Sequence, residues 1–252
     1  MITFKLNFKY MPLQEWVTGE VIKVIDETHN TRRYWIRVPD ASSFDFKPGQ
    51  FVTLDLPIHE KKNKRWRSYS IASMPDGTNV FELCIVLVPD GLGTPYIWKE
   101  FTPGFQVTMR GPQGVFTLPE NIENDIAFIC TGTGIAPFRS MLHHIHTHNT
   151  PCKNLYLIYG TRTLADLLYA DEMRQLEKDF PAMRYIHVLS REESPDYHGV
   201  KGYVHKVYES LFEDRRPANF YLCGWRNMVD EARAKLHDMG YDKHSVHVEL
   251  YG

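Results

Sequence analysis

Cysteine is scarce in this 252-residue chain: Cys84, Cys130, Cys152 and Cys223 lie far apart. None falls in a C-x₂-C or C-x₄-C-x₂-C spacing, so neither a structural zinc nor a resident iron–sulfur cluster is predicted. A disulfide framework is not expected at this density in a chain of this size. Net charge is also small, at −2, which leaves no electrostatic footprint for nucleic acid or an anionic membrane. No apolar run approaches the ~18 residues that a membrane span needs. The N-terminus lacks the apolar core and cleavage site of a signal peptide, so the expected address is the cytoplasm. Repeats and low-complexity segments are missing as well.

What remains is an ordinary globular composition, 43% hydrophobic and 24% charged, in a length that suits two domains of roughly 100–150 residues each. The first half reads as β. Short β-branched and aromatic runs at 16–25, 32–38, 51–56, 67–71, 80–88 and 106–110 are separated by turn clusters such as Lys47-Pro48-Gly49 and Pro75-Asp76-Gly77. That spacing predicts a small antiparallel barrel with one helical insert over 95–100. The first 15 residues carry no pattern and are expected to lie along the barrel. From residue 126 onward, strands at 126–130, 154–159, 184–189, 219–223 and 245–250 alternate with helices at 137–145, 167–179, 204–212 and 227–239. Such alternation predicts a doubly wound parallel sheet. The seam falls near Leu118-Pro119-Glu120, giving domains 1–119 and 120–252.

The chemistry sits at the ends of these elements. Thr131-Gly132-Thr133-Gly134-Ile135-Ala136-Pro137 joins an apolar strand to a helix. Its glycines let backbone N–H groups approach an anion, the helix start adds partial positive charge, and Pro137 suits a first turn. By itself such a turn is a weak signal. Arg67-Ser68-Tyr69-Ser70 lies on a barrel strand and offers a guanidinium fork for a pyrophosphate, a flat ring for stacking and a hydroxyl for a ring nitrogen. Gly91-Leu92-Gly93-Thr94 opens the helical insert as a second helix-start anion site. Gly160-Thr161-Arg162, Ser190-Arg191, Lys201-Gly202-Tyr203 and Cys223-Gly224 all fall at or just past the C-terminal ends of parallel strands, where open α/β sheets bind ligands.

This ordered set, completed by Val248-Glu249-Leu250-Tyr251, resembles the ferredoxin–NADP+ reductase family of flavoenzymes over nearly the whole chain, from about Trp16 to Tyr251. The resemblance implies non-covalent FAD, with Arg67 on the pyrophosphate, Tyr69 stacked on the isoalloxazine and Ser70 beside its N5. Gly91, Leu92, Gly93 and Thr94 match the family's second phosphate loop. Cys84, Ile85 and Val86 match the strand lining the flavin, although plant-type members often carry Lys-Arg where this chain has Val86-Leu87. Ser190, Arg191, Lys201 and Tyr203 match the NADP+ 2′-phosphate and adenine site. Cys223 is expected beside the nicotinamide C4, Glu249 near the flavin N5, and Tyr251 over the flavin's free face, one residue before Gly252.

The family thus implies an FAD-dependent oxidoreductase using NADP(H), with ferredoxin or flavodoxin as electron partner and flux in either direction. Two alternatives remain at this level. One is the reductase component of an oxygenase fed by NADH; the other is a non-catalytic electron-transfer subunit, against which Ser190, Arg191, Lys201 and Cys223 argue. Two further features carry less. His144 and His148 have i,i+4 metal-ligand spacing, but no nearby carboxylate completes a set, so no metal is predicted. The basic run Lys61-Lys62-Asn63-Lys64-Arg65 reads as a solvated loop or as the landing site of an acidic partner.

Overall fold

The computed structural model describes residues 15–251; the expectations for the first 14 residues and for Gly252 lie outside them. Six strands build the first sheet: β1 (Val17–Thr28), β2 (Thr31–Arg37), β3 (Phe51–Asp55), β4 (Trp66–Ser70), β5 (Val80–Val86) and β6 (Gln106–Gln113). All pair antiparallel in the order β4-β3-β6-β1-β2-β5. The two end strands meet through the antiparallel bridge Ile71↔Leu83, which closes the sheet into a barrel. Alternate residues of these strands point inward, and Val21, Tyr34, Ile36, Leu54, Phe81 and Met109 fill the interior. Helix α1 (Gly93–Glu100) plugs one end with Ile97, which is fully buried. Removing such a side chain from a packed core costs about 2–5 kcal/mol.

The second half is a parallel sheet of β7 (Asp125–Thr131), β8 (Leu155–Thr161), β9 (Met183–Leu189), β10 (Val200–Lys201), β11 (Ala218–Trp225) and β12 (Val246–Tyr251). The order is β10-β9-β8-β7-β11-β12. The chain therefore winds outward from β7 to β10, then returns to pair β11 on the other side of β7. That reversal opens a crevice between the ends of β7 and β11, the place where doubly wound sheets bind ligands. Helices α2 (Ile135–Thr147) and α3 (Ala170–Asp179) cover one face, packing on Phe128, Leu157 and Tyr159. Helices α4 (His205–Leu211) and α5 (Arg226–Asp238) cover the other, on Ile129, Ile158 and Leu222. Burial on both faces explains why β7, β8 and β11 are nearly unbroken apolar runs.

Two details differ from the sequence expectation. The helix expected from Leu167 starts only at Ala170, because Tyr169 adopts a left-handed backbone (φ 53°) and a 3₁₀ turn takes up Leu164–Asp166. Strand β10 was not foreseen, since two exposed residues carry no periodicity; it exists because Val200 and Lys201 pair with Val188 and Leu189.

The barrel packs on the α2/α3 face of the second sheet. Ala72, Cys84 and Phe116 from the barrel half share a core with Phe138, Tyr159 and Cys223. This contact turns the crevice between β7 and β11 toward strand β4.

Candidate functional site at the seam between the sheets

On the barrel side, β4 presents Arg67, Tyr69 and Ser70. Arg67 donates through Nη1 to the carbonyls of Trp66 (2.8 Å) and Lys64 (3.0 Å), which extends its stem along the strand. That stem lies against the start of α1: a Cβ added to Gly93 would stand 3.1 Å from Arg67 Cγ and Nε. The guanidinium and the first N–H groups of α1 are thereby brought together. Neither a capping side chain nor an acidic residue occupies the first turn of α1, so its positive end is open to an anion. Thr94 closes the same loop; its hydroxyl accepts from the N–H of Val88 (2.9 Å) and donates to that residue's carbonyl (3.2 Å). Leu92 and Gly91 complete the turn, with Leu92 largely exposed. Tyr69 packs against the barrel core, and burial pushes its phenol pKa up.

Cys84, Ile85 and Val86 sit on β5 with a different emphasis. Ile85 faces the barrel interior, and Cys84 packs in the core shared by the two sheets, where burial pushes its thiol up to about 12. Val86 pairs with Thr31 at the end of the strand.

On the other side of the seam, the loop after β7 forms a 3₁₀ turn (Gly132–Gly134) running straight into α2. Ile135, Ala136 and Pro137 are its buried first turn, again with no acid and no capping side chain. Three glycines here are steric requirements. A Cβ on Gly134 would lie 2.4 Å from the carbonyl oxygen of Cys223, and one on Gly224 (φ 141°) 2.4 Å from Thr131 Oγ1. A Cβ on Gly160 would meet Val204 Cγ1 at 2.9 Å. Such distances are well inside van der Waals contact, so only glycine lets the ends of β7, β8 and β11 close up.

The strand register then lines up the reactive groups. Cys130, Cys223 and Glu249 are direct neighbours across β7, β11 and β12, and Trp225 pairs with Tyr251 two residues on. Glu249 crosses the seam: Ser70 Oγ donates a short hydrogen bond to its Oε1. Burial raises the Glu249 carboxyl from 4.5 to about 7, with the Ser70 bond pulling the other way. Cys223 is fully buried, and burial, reinforced by the neighbouring Glu249, pushes its thiol well up. The thiol therefore stays protonated and uncharged. Tyr251 ends β12, and burial beside Cys223 and Glu249 pushes its phenol well up too.

A third cluster lies at the outer end of the sheet. Strand β10 sets Lys201 alongside Leu189, so Lys201 and Tyr203 stand next to Ser190 and Arg191. All four are exposed, Tyr203 at 72%. Ser190 Oγ donates to the carbonyl of Thr161 (3.2 Å) and the Arg191 N–H to that of Arg162 (2.8 Å), which ties this loop to the end of β8. The Thr161 hydroxyl donates weakly to the Asp166 carbonyl (3.4 Å). Glu192 points back into the backbone, accepting from the N–H groups of Leu164 and Ser194 (2.9 Å each), and these bonds lower its pKa.

The donor set fits a dinucleotide pair. The Thr131 hydroxyl is buried with no hydrogen-bond partner, a costly state unless a ligand satisfies it. Two open helix starts, a guanidinium and a glycine-walled crevice supply anion contacts and the close approach that flat rings need. Among the described residues no cluster of three or more His, Cys, Asp or Glu could hold a metal ion, and His143 is instead paired with Glu172 at 2.5 Å. No described helix is long and apolar enough to cross a membrane.

Sequence reasoning missed Trp225, whose indole is 60% exposed at the mouth of the crevice; its place right after Cys223-Gly224 was the available signal. It also missed Glu82, Arg139 and Tyr169 at the seam. The clue there was a carboxylate inside the apolar run Phe81-Glu82-Leu83-Cys84.

Comparison with known proteins agrees with this fold. Residues 18–118 match the model of the oxidoreductase FAD-binding domain, and residues 128–234 that of the oxidoreductase NAD-binding domain. Ferredoxin–NADP reductase B of Sorangium cellulosum is 33% identical over 219 residues, 84% of this chain and 88% of that one. The phenol hydroxylase P5 protein of Acinetobacter pittii is 30% identical over 218 residues; the match takes in 86% of this chain but spans only 60% of that relative's length. Among solved structures, an Amycolatopsis cytochrome P450 reductase superposes with a TM-score of 0.83 at 27% identity, over 94% of this chain and 69% of its own. The chain belongs to the ferredoxin–NADP reductase family of FAD- and NAD(P)-binding oxidoreductases.

Proposed function

We infer that the protein is a cytoplasmic NADPH oxidoreductase of the ferredoxin–NADP+ reductase type, with an FAD domain over 1–119 and a coenzyme domain over 120–252. The observation that carries this reading is the meeting of Ser70, Cys223 and Glu249 across the seam, one from the barrel and two from the parallel sheet. FAD, when bound, supplies the exchange between a two-electron hydride and single electrons. Arg67 and the start of α1 hold its pyrophosphate, Tyr69 supports its ring, and the Thr131–Pro137 turn takes the coenzyme's pyrophosphate.

Around the reacting rings the chain contributes three things. Cys223, neutral because buried, gives the nicotinamide a soft uncharged wall and keeps water out. Ser70 holds a proton on Oγ that it donates to Glu249. With a pKa of about 7, Glu249 is poised to take up or release a proton near neutral pH. Tyr251 covers the pocket and must move aside for a nicotinamide.

Preference for NADPH rests on Ser190, Arg191 and Lys201, brought together by β10, and on the inward turn of Glu192. A carboxylate facing the ribose would favour NADH; Glu192 is committed to backbone N–H groups instead. The exposed lysines Lys61, Lys62 and Lys64, beside Arg65 paired to Asp55, suit an acidic protein such as ferredoxin or flavodoxin as electron partner. A second reading, the reductase component of an oxygenase, is favoured by the similarity to the phenol hydroxylase P5 protein. Steady-state reduction of ferredoxin, flavodoxin and an oxygenase's own carrier, each with NADPH and with NADH, separates the two. Higher kcat/KM with NADPH and ferredoxin or flavodoxin is expected; NADH preference with the oxygenase carrier alone would establish the second reading.

A further inference from the structure

At the proposed reaction site the seam is crossed by the Ser70–Glu249 bond. It carries a second polar cluster, built around Glu82, which is 2% exposed. Glu82 accepts from Arg33 Nε (2.6 Å) and Nη2 (3.0 Å), from Arg139 Nη1 (3.2 Å) and from the Tyr169 hydroxyl (2.8 Å). Both guanidiniums lie over the Tyr169 ring, its centroid 4.7 Å from Arg33 Cζ and 4.6 Å from Arg139 Cζ. Arg33 and Glu82 belong to the barrel, whereas Arg139 and Tyr169 belong to the coenzyme side. Tyr169 keeps its left-handed backbone with its N–H donating to Glu27 Oε1, again across the seam (2.7 Å). A non-glycine residue in that region is strained and persists only where its surroundings fix it.

The same arginine reaches the reacting strand. Arg139 Nη1 also donates to the carbonyl of Ala72 (2.8 Å), two residues beyond Ser70. Arg139 itself stands on α2 two residues after the Thr131–Pro137 turn. We propose that Glu82, Arg33, Arg139 and Tyr169 form a clamp that fixes the distance between the flavin side and the nicotinamide side of the site, with Arg139 and Tyr169 as positioning residues. The path is short: Ser70 through Ala72 to Arg139, then along α2 to the coenzyme turn. Charge-assisted bonds between buried groups hold one geometry where a wet seam would slide. Two cation–π contacts to one ring add orientation, because each guanidinium is held over that ring. This inference rests on the oxidoreductase reading above.

Tyr169→Phe keeps the ring and loses the hydroxyl bond to Glu82; Arg139→Lys keeps the charge but loses the combination in which Nη1 reaches Glu82 and Ala72 while Nε (2.5 Å) and Nη2 (3.2 Å) hold Glu172 on α3. Four quantities are compared with the parent: amide hydrogen exchange of the flavin-free protein over residues 70–73, the melting temperature, the NADP+ dissociation constant of the FAD-loaded protein, and the rate of its reduction by NADPH in rapid mixing. The long-wavelength charge-transfer absorbance of nicotinamide stacked on flavin is read in the same experiment. Both variants are expected to exchange faster over 70–73, with the NADP+ dissociation constant within about twofold of the parent. Misplacement of order 1 Å costs up to about 10²-fold. Reduction is therefore expected to slow about tenfold or more in Arg139→Lys, less in Tyr169→Phe, with weaker charge-transfer absorbance in both. Parental exchange and parental reduction rates in both variants would overturn the clamp. So would affinity, rate and melting temperature falling together, the mark of a merely structural role. A parent protein that takes up FAD but is not reduced by NADPH removes the functional reading instead; the exchange of the flavin-free protein then still decides whether the clamp exists.

Discussion

Replacing Glu249 with glutamine should stabilise the protein at alkaline pH and leave its stability almost unchanged in acid. Burial lifts this carboxyl from 4.5 to about 7, and the hydrogen bond from Ser70 offsets only part of that. The difference corresponds to roughly 3 kcal/mol, at about 1.4 kcal/mol per tenfold change in the proton equilibrium. The sign follows from which state holds the proton. Between pH 4.5 and about 7 the folded protein keeps a proton that the unfolded chain has released, so stability falls as pH rises through that window. Above it the full cost remains; below it both states are protonated and the cost disappears. Glutamine cannot ionise, yet its side-chain oxygen still accepts from Ser70. Urea unfolding of the parent and Glu249→Gln at about pH 4.5 and about pH 8.5 measures the difference. The variant should be more stable by up to about 3 kcal/mol at the higher pH and by well under 1 kcal/mol at the lower. A difference independent of pH, or one that grows toward acid, would refute the assignment of a raised pKa to Glu249. Turnover should fall in the same variant, a gain in stability where a strained site loses function.

Three other outcomes are expected. Gly224→Ala puts a Cβ 2.4 Å from Thr131 Oγ1 on a backbone with φ 141°; thermal melting should show a loss of about 1–3 kcal/mol, and NADP+ titration a loss of binding. Neutralising Arg191 and Lys201 together should weaken NADPH by about two powers of ten or more and NADH little, since each charge-assisted bond to a phosphate contributes roughly 1.5–3 kcal/mol; equal losses would move the 2′-phosphate site elsewhere. Tyr251→Ser removes the ring that nicotinamide must displace, so NADP+ and NAD+ dissociation constants should both fall and discrimination between them relax; unchanged constants would show that Tyr251 does not guard the pocket.

Much of this architecture is legible in the residue pattern because its signals are local. Alternation and turn clusters mark the barrel strands, and the unbroken apolar runs of β7, β8 and β11 reflect burial on both sheet faces. The glycines at 134, 160 and 224 stand at strand ends where neighbouring backbones crowd, so position alone pointed to them. What escaped the sequence depends on partners distant in the chain. Strand β10 consists of two exposed residues whose pairing with β9 has no periodic trace. The late start of α3 is set by Tyr169, held left-handed by Glu27, 142 positions away. Cys84 and Ile85 are adjacent on β5 yet pack into two separate cores, a division that depends on residues far away in the chain. The clamp is the strongest case: Glu82 meets Arg33, Arg139 and Tyr169 from sequence separations of 49, 57 and 87 residues.

Anaerobic titration of the FAD-loaded protein with NADPH tests the central claim most directly. The account predicts that the protein takes up one non-covalent FAD and that its yellow absorbance bleaches in proportion to added NADPH, faster than with NADH. A protein that binds no FAD, or one whose bound flavin stays oxidised in excess NADPH, would contradict it.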